Sequence, residues 1–216
     1  MRRLKLLAVT AFLTALAVAG VVWATTYHTI TVDGNLVDFA ADEKTAGDPA
    51  NDSLYGVDNE LTTFYATWDA QKLYLGYDYK IQGGAVMILL NTAATGGVTN
   101  LCPAGGYAGS YKANAQSASA QQPFNFMIAF FANQSSPGTQ PTVAVYSLGS
   151  NNSTPITSAS GVAVALVESV SGDKRTGSVE VALPWDVLYG LGAGKVPANA
   201  TIKIAGLLRG KNAGNS

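Results

Sequence analysis

Cysteine, histidine and charge are all scarce in this chain. Cys102 is the only cysteine, which excludes an internal disulfide. No small-residue–Cys junction near the N-terminus points to a lipid anchor. A lone cysteine reads as a small buried hydrophobe, with pairing between chains as the alternative in an oxidising compartment. His28 is the only histidine, so Ser-His or Cys-His catalysis would have to draw its base from one position near the N-terminus. One His and one Cys cannot build a tetrahedral zinc site. Charged residues make up 12%, about half the ~25% usual in globular domains. That scarcity argues against a coiled coil, a helical bundle or a charge-rich disordered chain, and a nucleic-acid binder would need a basic patch. G-x-S-x-G, H-E-x-x-H, G-x-x-x-x-G-K-[ST] and a strand-borne G-x-G-x-x-G are all missing, so no enzymatic activity is expected within these residues.

The N-terminus reads as an address. Arg2, Arg3 and Lys5 precede an apolar run over 6–22, and Val22-Trp23-Ala24 supplies a small-residue cleavage pattern. Such a segment is a secretory signal peptide, predicted here as residues 1–24, with an uncleaved membrane anchor as the alternative. The mature domain is then 25–216, exported to the extracellular space or cell surface, with no membrane partner. Removing the leader leaves ten bases against fourteen acids, so phosphate backbones and anionic lipids are unexpected partners.

The full chain is 48% hydrophobic, enough for a core, and the periodicity of its mature part is that of strands. Over 72–80, Leu73, Leu75, Tyr77 and Tyr79 fall on one face, and Lys72, Tyr74, Gly76, Asp78 and Lys80 on the other. Over 178–183, Val179, Val181 and Leu183 point inward while Ser178, Glu180 and Ala182 point outward. Further strands are predicted at 29–32, 62–68, 85–90, 124–131, 142–148, 161–170 and 201–208, punctuated by Gly, Pro and Asn. Pro184 opens one helical turn through Tyr189. About nine short strands without a long amphipathic helix predict an all-β fold, an antiparallel β-sandwich. Residues 91–122, rich in Ala, Gly, Ser and Gln, are predicted as a long irregular excursion.

Ten of the fourteen acids lie between Asp33 and Asp78, and from Ile81 to Val167 there is none. Within the acidic stretch, Asp42, Asp48, Asp52 and Asp58 are the candidate metal ligands. Calcium takes ~6–8 oxygen ligands, and carboxylates, amides and loop carbonyls supply them. Calcium is therefore the candidate cofactor, against a plainly solvated acidic loop; the D-x-D-x-D-G spacing of an EF-hand is missing.

Three stretches carry a family resemblance. Ile30-Thr31-Val32-Asp33-Gly34-Asn35-Leu36-Val37-Asp38-Phe39 resembles an opening strand and turn, Leu61-Thr62-Thr63-Phe64-Tyr65-Ala66-Thr67-Trp68-Asp69-Ala70-Gln71-Lys72-Leu73-Tyr74-Leu75-Gly76-Tyr77 a central hairpin, and Gly177-Ser178-Val179-Glu180-Val181-Ala182-Leu183-Pro184-Trp185 a late strand with a Pro-aromatic turn. In that order they resemble the family-9 carbohydrate-binding module and the wider DOMON-like group of secreted sandwiches. The resemblance implies a jelly-roll or immunoglobulin-like sandwich and a final strand beyond this C-terminus, so that the chain would be truncated. Haem-binding relatives use axial Met and His, which a single terminal His28 does not favour. Sugar-binding members clamp ligands between exposed aromatics. Trp68, Tyr74 and Trp185 are the candidate ligand-binding residues, with Tyr107 and Tyr111 as further exposed-ring candidates. The expected function is an exported non-catalytic carbohydrate-binding module, with a polysaccharide or cell-surface glycan as partner. The module would stand alone or lead a longer glycan-active or surface protein. The alternative is a structural cell-surface or filament subunit that self-associates by strand addition.

Overall fold

The computed structural model describes residues 28–51, 53, 56–83, 85–92, 123–131, 143–148, 153–198 and 200–209. Residues 1–24, Cys102, Tyr107, Tyr111 and most of the 91–122 excursion lie outside them. Ten strands are described: β1 Lys44–Gly47, β2 Glu60–Trp68, β3 Lys72–Gln82, β4 Ala85–Asn91, β5 Phe126–Phe131, β6 Val143–Leu148, β7 Ser153–Pro155, β8 Ala163–Ser171, β9 Lys174–Pro184 and β10 Lys203–Arg209. One short helix, α1 Trp185–Tyr189, follows β9 directly. The strands form two five-stranded sheets, ordered β1-β2-β3-β9-β8 and β10-β4-β5-β6-β7, and every pairing is antiparallel. The chain is an all-β sandwich.

The period-two pattern sets which faces meet. Leu73, Leu75, Tyr77, Tyr79 and Ile81 of β3 and Val179, Val181 and Leu183 of β9 face Val86, Ile88, Leu90, Ile128, Phe130 and Val145 of the second sheet. Together they form the main core. β4 reads Ala-Val-Met-Ile-Leu-Leu with no polar alternation, and its other face is buried as well, with Met87 and Leu89 beside Met127 and Ala129. A strand buried on both faces has no reason to alternate.

The first sheet also carries material on its outer face. Residues 28–43 cross its upper half, where Ile30 and Phe39 pack on Tyr74 and Ala182. Gly76 makes room for this crossing: a Cβ there would lie 2.6 Å from the Phe39 ring and 2.7 Å from Leu36. The strand predicted at 29–32 is not one. Ile30 and Val32 do turn inward and Thr29 and Thr31 outward, but the segment lies on a sheet face and joins no ladder. Alternation reports which side chains are buried, not whether a neighbouring strand exists. β1 and β7 escape the pattern for the opposite reason. They are short, and the residues of β1 are all exposed, so no apolar alternation marks them.

At the far end of the core sits a buried ion pair. Arg175 Nη1 lies 2.7 Å from Glu168 Oε1, and Tyr79 donates its hydroxyl proton to Glu168 Oε2 at 3.1 Å. Gly177, opposite both Tyr79 and Glu168 in the ladder, leaves the gap through which they meet. Burial pushes the Tyr79 hydroxyl well up, and the Glu168 charge adds to it. Removing one partner of such a pair strands a charge in the core, whereas replacing both with apolar groups is often neutral. Arg175→Met is therefore expected to lower stability by about 3–5 kcal/mol. Adding Glu168→Leu should restore most of the loss, as measured by urea unfolding.

Candidate functional site

Two of the aromatic candidates, Tyr74 and Trp185, bond to Asp69, and a third, Trp68, is its chain neighbour. Asp69 sits in the turn between β2 and β3, where its backbone N–H donates to Lys72 O at 2.9 Å. Its Oδ1 accepts the backbone N–H groups of Gln71 at 2.7 Å and Lys72 at 2.8 Å, an Asx turn that needs this short carboxylate. Its Oδ2 accepts the Tyr74 hydroxyl at 2.7 Å and the Thr29 hydroxyl at 2.9 Å. Trp185 closes the cluster by donating Nε1–H to the Asp69 carbonyl at 2.9 Å and its backbone N–H to Gln71 O at 3.0 Å.

This geometry reassigns two of the three. Tyr74 is 3% exposed and Trp185 5%. Tyr74 lies beneath the 28–43 segment, and Trp185 fills the end of the core, stacked toward Tyr189. Neither offers a ring face to solvent, so both are structural where ligand platforms were expected. Trp68, at the end of β2, is 37% exposed. It stands beside the exposed Gln71 turn, against which Gly194 packs closely. Leu191 and Val196 of the same 190–196 loop are exposed as well.

Electrostatics at Asp69 follow from its partners. Burial opposes its charge, but the hydrogen bonds from Tyr74, Gln71, Lys72 and Thr29 outweigh that and hold the carboxyl below its usual range. The same contact, after burial, pushes the Tyr74 hydroxyl up to about 12.

Sequence reasoning missed a second carboxylate. Glu180, in the outward row of β9, is buried and accepts the backbone N–H groups of Asp33 and Gly34, each at 2.8 Å. Ser178 donates its hydroxyl to Gly34 O at 2.6 Å. The turn that receives them needs glycine, because Gly34 has φ +90° and a Cβ there would lie 2.9 Å from the β8 backbone. Burial pushes the Glu180 carboxyl up, and the two amides pull it part of the way back. The available signal was an acid flanked by Val179 and Val181 in a strand otherwise destined for burial.

Among the described residues the candidate calcium ligands are not assembled. Asp42 lies in a 3-10 turn at Ala41–Glu43. Asp48 is exposed just past β1 and donates its backbone N–H to Thr62 O at 3.0 Å, and Asp58 forms a 2.6 Å ion pair with Lys174. Asp52 lies outside the described residues. Among the described residues no three His, Cys, Asp or Glu side chains come together as metal ligands. Glu60 is the anomaly of this end: it is 1% exposed, and both carboxylate oxygens are buried without a hydrogen-bond partner. Among the described residues no helix is long and apolar enough to cross a membrane.

Because the folded protein holds Asp69 deprotonated below the usual range, its contribution to stability is full at neutral pH and is lost as the pH falls through that lowered value. Asp69→Asn should flatten this acid limb in urea titrations repeated from pH 7 downward. Tyr74→Phe removes one donor to a charged acceptor and should lower stability by about 1–2 kcal/mol at pH 7. No family model matches the chain, and neither does any curated protein.

Proposed function

We propose that the mature chain is an exported, non-catalytic carbohydrate-binding module of the family-9 or DOMON-like kind, with a polysaccharide or cell-surface glycan as its partner. The observation that carries this reading is Trp68, an indole left more than a third exposed on a turn that Asp69 holds rigid through four hydrogen bonds. Stacking a sugar requires an aromatic face that is open to solvent and fixed in place, so that binding costs little ordering of the protein. Gln71, next in the turn, adds an amide that both donates and accepts. An excess of amides and hydroxyls over charge suits a neutral, hydroxyl-rich partner.

The filament-subunit reading draws less support. It calls for an exposed, unpaired edge strand together with an extended arm over 25–30, and from residue 28 onward that stretch is engaged on the first sheet.

The test of the module reading is retention on microcrystalline cellulose, insoluble xylan and chitin. Wild-type protein is expected to bind at least one of them. Trp68→Ala should bind about tenfold more weakly, the ~1.4 kcal/mol scale of one aromatic contact, with an unchanged melting temperature. Retention on none of the three would overturn the reading, and equal retention of the variant would overturn Trp68 as its platform.

Calcium enters the proposal through Glu60. An ionised carboxylate buried without a donor is costly unless a counter-charge accompanies it, and the loop before β2 is rich in the oxygen ligands that calcium takes. Melting in calcium is expected to exceed melting in chelator, since a ligand at ~100 times its dissociation constant adds ~2.7 kcal/mol to the folded state. Glu60→Gln should erase the difference. Coincident wild-type curves in calcium and chelator would remove calcium from the account.

A further inference from the structure

The 28–43 segment covers only the upper half of the first sheet's outer face. Below the point where Ser178 meets Gly34, the face opens into a groove of about 500 Å³ that runs across β2, β3, β9 and β8. Its lining includes Thr62, Asp78, Lys80, Ser169 and Thr176. Asp78, Lys80, Ser169 and Thr176 share one face because the ladder sets Asp78 opposite Ser178, Lys80 opposite Thr176 and Thr176 opposite Ser169, and Thr62 joins them from the point where the β2–β3 register shifts between Leu61 and Thr63.

Few of these groups are used by the fold. Among the described residues, Asp78 accepts no hydrogen bond and forms no ion pair, and Lys80 is likewise unpaired. The hydroxyls of Thr62, Ser169 and Thr176 make no side-chain hydrogen bond either. Asp78 is half-buried, and burial pushes its carboxyl up, with Lys44 on β1 pulling part of the way back. A half-buried carboxylate that the protein leaves without a donor is an acceptor held ready for something else.

The chemistry of the lining selects the occupant. Asp78 and Lys80 stand two residues apart on the same face, roughly 7 Å, so the groove carries both signs side by side and favours neither an anion nor a cation. The carboxylate accepts two O–H groups, the ammonium donates only, and each threonine or serine hydroxyl does both. A neutral ligand with vicinal hydroxyls satisfies all of them at once. Three interstrand spacings of about 4.8 Å make the groove roughly 14 Å long, which suits a short oligosaccharide better than a single sugar. Val167, exposed at the same place, supplies an apolar patch for the C–H face of a ring.

We propose that this groove is a second glycan site, in which Asp78 accepts and Lys80 donates hydrogen bonds to vicinal hydroxyls of a neutral oligosaccharide. It rests on the carbohydrate-binding reading for its ligand class but occupies a different place from Trp68. The experiment is calorimetric titration of the full chain with cellohexaose, xylohexaose and chitohexaose, using wild type, Asp78→Asn, Thr176→Val and Trp68→Ala. Asp78→Asn removes an unpaired charge, so its melting temperature should hold or rise. Its affinity for the preferred hexasaccharide should fall about tenfold, the scale of a lost charge-assisted hydrogen bond. Thr176→Val should weaken binding in the same direction and decides the matter on its own if Asp78→Asn does not fold. Loss in these two variants with Trp68→Ala unaffected supports the groove and overturns the Trp68 platform. Loss in Trp68→Ala alone overturns the groove and leaves the platform standing. A wild-type chain that binds none of the three overturns both.

Discussion

The carboxylate of Asp69 is the contact on which one whole end of the sandwich depends. Its four donors come from three stretches of chain: Thr29 from the N-terminal segment, Gln71 and Lys72 from its own turn, and Tyr74 from β3. Its carbonyl holds a fourth stretch through the Trp185 indole. Charge-assisted hydrogen bonds are the strong ones, and here they are concentrated where loops would otherwise be loose. The turn is rigid because its side chain replaces backbone partners that a two-strand hairpin lacks at its tip. Trp68 inherits that rigidity as the next residue along β2. Its ring therefore stands on a fixed base.

A second carboxylate extends the same logic across the sheet. Glu180 receives the two amides of the Asp33-Gly34 turn, and Phe39 settles over Gly76 against Tyr65, with ring centroids 5.2 Å apart. The N-terminal segment thus becomes a third layer over half of the first sheet. Apolar contact supplies most of the driving force for that layer, while Glu180 sets its register, since only one turn can present two consecutive N–H groups to one oxygen. The other half of the face is left uncovered. A single docking event therefore divides the sheet into a buried structural half and an open polar half.

Much of the fold was legible in the sequence because period two is a direct report of burial. β3 and β9 alternate cleanly, and their inner residues are those that form the core. Legibility failed where burial and pairing part company. Residues 29–32 alternate but lie on a face, β1 pairs but is wholly exposed, and β4 is buried on both sides and does not alternate at all. Two of the aromatic candidates failed in a similar way. Tyr74 was placed correctly on the polar face of β3, yet that face is itself covered by a segment forty residues upstream. Trp185 follows a proline that caps a helix of five residues, and nothing local distinguishes a ring that plugs an end from one that protrudes there. Such long-range covering is invisible to any pattern read within one strand. Glu180 and Asp69 carry the clues in retrospect: an acid between two buried valines, and an acid at a hairpin tip with a tyrosine five residues on.

The same comparison sorts the carboxylates by use. Asp69, Glu180, Glu168 and Asp58 each have partners among amides, hydroxyls or cations, and each holds two pieces of the fold together. Glu60 has no hydrogen-bond partner among the described residues and Asp78 only the nearby charge of Lys44, although both are withdrawn from water. In a chain so poor in charge, ionisable groups left without a hydrogen-bond donor are conspicuous. Desolvating a carboxylate without compensating it lowers stability, and mutation removes such a cost easily where nothing else requires the group. The groups that the fold leaves unsatisfied lie apart from the tightly knit aromatic end, on the bare half of the first sheet and beside the acidic loop.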